Sequence, residues 1–194
     1  MIYGLNNARE TMSISTQHRE LVTRLKKPGE NILACVTPYS LDLLHMAVGV
    51  VGEVLELCEA EDSDNREHVL EELGDLQFYI EGFRQVLCPE RVFKLAVAEV
   101  SESCDPCNSR ALLMTAAGHL LNLTKRFTIY DKTPLDEEVF QKALHAVAVH
   151  AAACGLLSGF TPDAILQHNY SKLNTRYPSG SYTDSQAQQR ADKN

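Results

Sequence analysis

With 194 residues, 44% of them hydrophobic, the chain can bury roughly 70% of the surface it would expose when unfolded, enough for one self-supporting domain or two small fused repeats. Its net charge of −8 and the lack of any Lys/Arg-rich block argue against a nucleic-acid-binding face and an anionic-membrane face, because both need concentrated positive charge. No apolar run approaches the roughly 20 residues that span a bilayer, and the polar start Met1 to Glu20 lacks the apolar core of a signal peptide, so a soluble, cytoplasmic protein is expected.

Helix punctuation recurs along the chain, while alternating β-branched stretches bounded by hairpin turns are nearly absent, which predicts an all-α helical bundle. A first amphipathic segment spans about Thr16 to Leu25 and stops at Lys27-Pro28-Gly29. Thr37-Pro38, a cap followed by Pro at the first helical position, starts a long helix to about Glu61. The polar turn Asp62-Ser63-Asp64-Asn65 ends it, and Asp64 with Glu67 resembles a capping box for a second long helix to about Leu87. Pro89 begins a third segment to about Ser103, and Cys104 to Ser109 reads as a linker. Further helices are predicted over Arg110 to Phe127, Pro134 (capped by Thr133) to Leu157, and Pro162 (capped by Thr161) to about Thr175. The last stretch, Gly180 to Asn194, reads as a loose polar tail.

Six cysteines are scattered over a chain apolar enough to build a core without staples, so free thiols are the simplest expectation. Cys104-Asp105-Pro106-Cys107 has the spacing of half a zinc site or a redox pair, but nothing follows to complete four ligands, and two loop thiols are the plainer reading.

The second half resembles a worn copy of the first. Gly52-Glu53-Val54-Leu55-Glu56-Leu57 aligns with Gly118-His119-Leu120-Leu121-Asn122-Leu123, and Gly82 to Phe93 aligns with Gly155 to Leu166. In the latter register Glu72 and Asp75 fall opposite His145 and Ala148, so a unit of about 70 residues is duplicated and the copy has lost its carboxylates. The expected organisation is a lead-in over 1–36, a first repeat over 37–103, the linker 104–109, a degenerate repeat over 110–178 and the tail 179–194.

Residues three apart share a helix face, so Glu53 and Glu56 project together, as do Glu72 and Asp75 from the next, antiparallel helix. Two unit charges about 4 Å apart repel by about 4 kcal/mol at an effective dielectric near 20, so four converging carboxylates call for a cation. Oxygen-only ligation suits Mg²⁺, with Mn²⁺ as a substitute. The apolar neighbours of these acids, Val50, Val51, Val54, Leu55 and Leu76, place them in a helix interface, whereas Glu59 and Glu71 fall off the common face or in more polar surroundings.

These residues resemble the all-α nucleoside triphosphate pyrophosphatases that include MazG and the dimeric dUTPases. The family pattern of ExxE, then ExxD, then a basic segment close to NxxKxxxRYP is matched by Glu53-x-x-Glu56, Glu72-Leu73-Gly74-Asp75 and Asn169-x-x-Lys172-x-x-x-Arg176-Tyr177-Pro178. Lys27-Pro28-Gly29-Glu30 and Arg190-Ala191-Asp192-Lys193 are similar to segments of bacterial and bacteriophage MazG-like proteins. The resemblance implies Mg²⁺-dependent hydrolysis of a nucleoside triphosphate to the monophosphate and pyrophosphate, with metal at Glu53, Glu56, Glu72 and Asp75 and with Glu53 or Glu56 taking a proton. It implies phosphate binding by Lys172 and Arg176 beside Asn169. Tyr79, one turn after Asp75, is then a candidate for stacking on the base or else a core tyrosine, and His45 is a candidate for base or sugar contact or else an interior histidine.

The chain departs from the family in one respect. The first repeat keeps the acids but has Ala96 and Glu99 where the basic segment belongs, and the second keeps Asn169 and Lys172 without the acids. One composite site per chain, in a pseudo-dimer folded from one polypeptide, is the expectation, and apolar faces leave room for a homodimer as well. The alternative is a catalytically silent bundle that binds a nucleotide or a partner. The base and sugar preferred are not legible, because specificity depends on pocket shape.

Overall fold

Thr37 and Pro38 open a helix as their chemistry dictates. Pro38 fixes the first helical φ, and the Thr37 hydroxyl accepts from the Ser40 amide at 3.1 Å while the Ser40 hydroxyl accepts from the Thr37 amide at 2.9 Å. The computed structural model describes residues 13–90, 106–130 and 135–193. Every regular element among them is helical, as the sequence predicts. The described residues 13–35 belong to a unit of their own, with helix α1 (Ile14–Leu25) capped by Ser13 and a short α2 (Gly29–Leu33) that the sequence did not announce.

The second unit, from Val36 onward, contains α3 (Pro38–Asp62), α4 (Arg66–Leu87), α5 (Pro106–Lys125), α6 (Glu137–Leu157), α7 (Pro162–Arg176) and α8 (Asp184–Gln189). Buried side chains recur at alternating steps of four and three: Leu43, Ala47, Val50, Val54 and Leu57 on α3, then Val69, Leu73, Leu76, Ile80, Phe83 and Leu87 on α4. The same rhythm gives Leu113, Ala117, Leu120 and Thr124 on α5, and Phe140, Leu144, Val147, Ala151 and Cys154 on α6. Four stripes of this spacing close into a four-helix bundle. Helix α3 packs on α4 and α5, and α6 packs on α5 and α4. Cross-contacts fix the directions: Gly49 meets Tyr79 and Gly82 meets Met46, while Arg110 holds Asp62 and Thr128 donates to the Ser40 carbonyl at 3.1 Å. Each of these neighbouring pairs, α3 with α4 and α3 with α5, is therefore antiparallel.

Several boundaries differ from expectation for local reasons. Asp64 adopts a left-handed φ of 53°, which closes the turn but cannot cap, so Asn65 caps α4 instead, its Oδ1 accepting from the His68 amide at 3.2 Å. Helix α5 begins at Pro106, inside the expected linker, and ends in a widened π-type turn over Arg126–Tyr130. Helix α6 begins at Glu137 with Asp136 as its cap; Thr133 and Pro134 lie outside the described residues, as do Cys104 and the segment from Arg91 to Ser103. Cys35, Cys58, Cys88 and Cys154 are free thiols. By length and mean hydropathy α6 is apolar enough to cross a membrane, contrary to the sequence-based expectation, but half of that stretch is buried within the bundle.

Helix α6 ends on Gly159, whose φ of 79° suits glycine; the Phe160 amide reaches back to the Gly155 carbonyl and the Gly159 amide to that of Leu156. This turn redirects the chain into α7, which meets α4 at Gly74. A Cβ at position 74 would stand 2.9 Å from the Asn169 Cβ, so the missing side chain is what admits α7. The expected loose tail is also ordered: α8 is followed by a 3-10 turn over Ala191–Lys193 that packs on α7.

Gly74→Ala should therefore cost about 1–3 kcal/mol through overpacking. Gly118→Ala, on an exposed face of α5 with open space around it, should stabilise by about 0.5–1 kcal/mol. Thermal melts of the two variants test the contrast, and equal shifts would show that α7 does not depend on the glycine.

Candidate metal centre

The seams of α3 and α4 position the acids. Glu53 precedes the buried Val54, Glu72 precedes the buried Leu73, and antiparallel packing brings the two helices' acids level. One carboxylate oxygen from each of Glu53, Glu56 and Glu72 lies within 4.8 Å of the others. Glu72 is buried, Glu53 half-buried and Glu56 exposed, so the cluster has a closed floor and an open side. Three oxygen donors without His or Cys form the partial shell of a hard divalent cation.

Burial, then the nearby Asp75 charge and a hydrogen bond with Glu72, push the Glu53 carboxyl up to about 8. Burial also raises Glu72, while its hydrogen bond with Glu53 opposes that rise. The pattern describes a proton held by Glu53 and donated to Glu72, which relieves part of the repulsion when no cation is bound. Glu72 is held from the other side by His68, whose Nε2 stands 2.8 Å from Oε1 one turn away. Sequence reasoning passed over His68, although its i,i+4 spacing to Glu72 was visible.

Asp75, the fourth expected ligand, is not one of the three mutually close acids, although its charge reaches Glu53 and Glu72. Its Oδ1 accepts from Asn169 Nδ2 at 2.9 Å and its Oδ2 from Lys172 Nζ at 2.5 Å. The same ammonium donates to Glu71 Oε1 at 2.7 Å, so Glu71, set aside on sequence grounds, belongs to the site. Burial pushes the Lys172 ammonium down, and the hydrogen bonds it donates to Asp75 and Glu71 outweigh this and raise it. Asn169 and Lys172 of α7 thus meet acids of α4, while the buried Ile165 one turn earlier lies against Gly155 of α6.

Arg176 does not present a vacant fork. Its Nε and Nη2 donate to the two oxygens of Asp192 at 2.6 and 2.5 Å, and the Asp192 carboxyl is held down to about 2 chiefly by this pair. Asp192 belongs to the Arg190-Ala191-Asp192-Lys193 segment noted for its resemblance, but its pairing with Arg176 is not legible in a stretch whose composition reads as loose. Tyr79 and His45 do come together: their rings meet edge to face at 6.1 Å, and the Tyr79 ring lies where a side chain at Gly49 would be. Burial and then the charges of Glu53, Asp75 and Glu56 raise the Tyr79 hydroxyl, which places it in the field of the acids. A cavity of about 490 Å³, lined by Asn65, His68, Glu71, Lys172, Thr175 and Asp192 among others, adjoins them, although none of the three clustered acids lines it.

Against family models, curated proteins and solved structures, the chain finds no match.

A carboxyl whose folded-state pKa exceeds its ordinary 4.5 favours folding fully below that pH, and the contribution is lost as pH rises through about 8. The metal-free protein should melt at progressively lower temperature across that interval. The effect is modest because Glu53 is only half-buried. Glu53→Gln, which keeps the shape of the neutral form, should flatten the decline; superimposable pH profiles would count against the protonated pair.

Proposed function

We propose that the chain is a Mg²⁺-dependent nucleoside triphosphate pyrophosphohydrolase of the MazG-like kind, which cleaves between the α and β phosphates to release the monophosphate and pyrophosphate. The observation that carries this is the convergence of Glu53, Glu56 and Glu72 within 4.8 Å, with Glu53 raised to about 8. Either a proton or a cation relieves the repulsion in such a cluster, and its all-oxygen donors fit Mg²⁺ or Mn²⁺. When bound, the ion supplies positive charge for the triphosphate and acidity for a water molecule.

The chain's own residues supply the rest. Glu53 or Glu56 takes the proton from the attacking water at a carboxylate oxygen. His68 keeps Glu72 oriented by holding its Oε1. Tyr79, set against Gly49 with His45 at its edge, offers an aromatic surface for a base close to the acids. Lys172 brings positive charge from α7 to Asp75 and Glu71, and Asn169 fixes Asp75. The acids come from α3 and α4 and the basic face from α7 of the same chain, which supports one composite site in a fused pseudo-dimer.

Glu53→Gln, Glu56→Gln and Glu72→Gln should each lower kcat for Mg²⁺-dependent pyrophosphate release, measured across a panel of NTPs and dNTPs, by about 10²-fold or more. Full turnover by the Glu72→Gln protein, or no turnover of any nucleotide by the wild type, would defeat the proposal. Mixing Glu53→Ala with Lys172→Ala protein should restore nothing, because neither chain carries a complete site.

A further inference from the structure

We propose that the segment from Gly180 to Lys193 is a latch on the site: the Asp192 carboxylate fills the guanidinium fork of Arg176, and an incoming phosphate group displaces it. The inference rests on the nucleotide-hydrolysing reading of the adjoining acids and supplies its regulation.

Asn169, Lys172 and Arg176 follow one another at steps of three and four residues, so they share one face of α7. Asn169 and Lys172 are bonded to acids of α4, a helix of the bundle. Arg176 differs, because its partner belongs to the tail and can leave without unpacking a bundle helix. Both Asp192 oxygens accept from it, at 2.6 and 2.5 Å, and the Asp192 side chain is 3% exposed. The planar fork of arginine matches two oxygens of a phosphate as well as two of a carboxylate. Asp192 also lines the cavity of about 490 Å³ beside His68, Glu71 and Lys172, and the Lys172 charge helps to keep its carboxyl ionised. Its departure frees the fork next to the side chains that hold Glu72 and Asp75.

The remainder of the tail is weakly held. Helix α8 has no buried side chain, and residues 179–185 are all exposed. Gly180, at a φ of 69°, turns the chain away from α7, and its amide donates to the Tyr177 carbonyl at 2.9 Å. Arg190, which carries the chain back to Asp192, sits at a φ of 47° and a ψ of 52°, a left-handed conformation that residues with a Cβ rarely adopt. Such a conformation persists where its surroundings enforce it, and the Asp192 pair two residues on supplies that constraint. A segment with an exposed glycine hinge, an unburied helix and an ion pair for an anchor opens locally while the bundle stays folded.

The probe is inorganic pyrophosphate with Mg²⁺, a product of the proposed reaction, titrated calorimetrically into the full chain. A closed latch lowers the apparent affinity by the fraction of molecules that are open, so Asp192→Asn should bind pyrophosphate about tenfold or more tightly than the wild type. A chain ending at Gly180 should do the same and serves if the asparagine variant does not fold. In the wild type, hydrogen exchange over residues 184–192 should lose protection as pyrophosphate saturates the protein. Equal or weaker binding by a folded Asp192→Asn protein would show that Asp192 positions Arg176 instead, and undiminished protection at saturation would show a fixed anchor. Either result, or no binding by wild type and variants alike, overturns the latch while nucleotide turnover is judged separately. A wild type whose tail opens on pyrophosphate but which turns over no nucleotide would keep the latch and bring down the functional proposal.

Discussion

Like charges placed together on a helix seam must be neutralised, and the design of this bundle follows from that requirement. Two unit charges about 5 Å apart repel by about 3 kcal/mol at an effective dielectric near 20. Glu53, Glu56 and Glu72 stand that close, and the chain meets the repulsion by three means. A proton rests on Glu53, His68 braces Glu72, and Lys172 is brought from α7 to the neighbouring Asp75 and Glu71. Each acts at a different point of the cluster.

The apolar framework is what gives those charges fixed positions. Four helices with buried residues at steps of four and three pack those stripes together, and the acids sit beside that seam. Val54 and Leu73, both buried, flank Glu53 and Glu72 and hold their backbones in place. The close approach at Gly74 then brings a fifth helix to the same level. Packing and electrostatics are thus joined at Gly74-Asp75, where one residue admits α7 and the next receives its amide and ammonium groups.

Much of this was legible in the chain, for reasons that can be assigned. The Thr37-Pro38 and Thr161-Pro162 starts are local chemistry, and both begin helices where expected. The i,i+3 spacing of Glu53 and Glu56 and a short turn to α4 were enough to predict that acids from two helices meet. What escaped depended on distance in sequence or on competition. Glu71 looked peripheral because its partner, Lys172, lies far along the chain, and the pairing needs α7 to dock at Gly74. Asp75 looked equivalent to Glu72, yet Asn169 and Lys172 claim both its oxygens. Asp64 lost its place as cap to Asn65 because a single left-handed φ changed which side chain faces the free amides. The segment holding Asp192 stood out by resemblance, but its bidentate pair with Arg176 did not, since a polar stretch advertises no anchor and the pairing is a matter of geometry.

The docking of α7 on α4 has a further consequence. Lys172 and Asp75 belong to one polypeptide, so their encounter is intramolecular and has an effective concentration set by the fold and the intervening chain. Dilution to the scarcest cellular abundance leaves that contact as well populated as it is at high protein concentration. A bundle whose acidic and basic halves came from separate subunits would lose them to dissociation under the same conditions, and here the covalent connection removes that dependence.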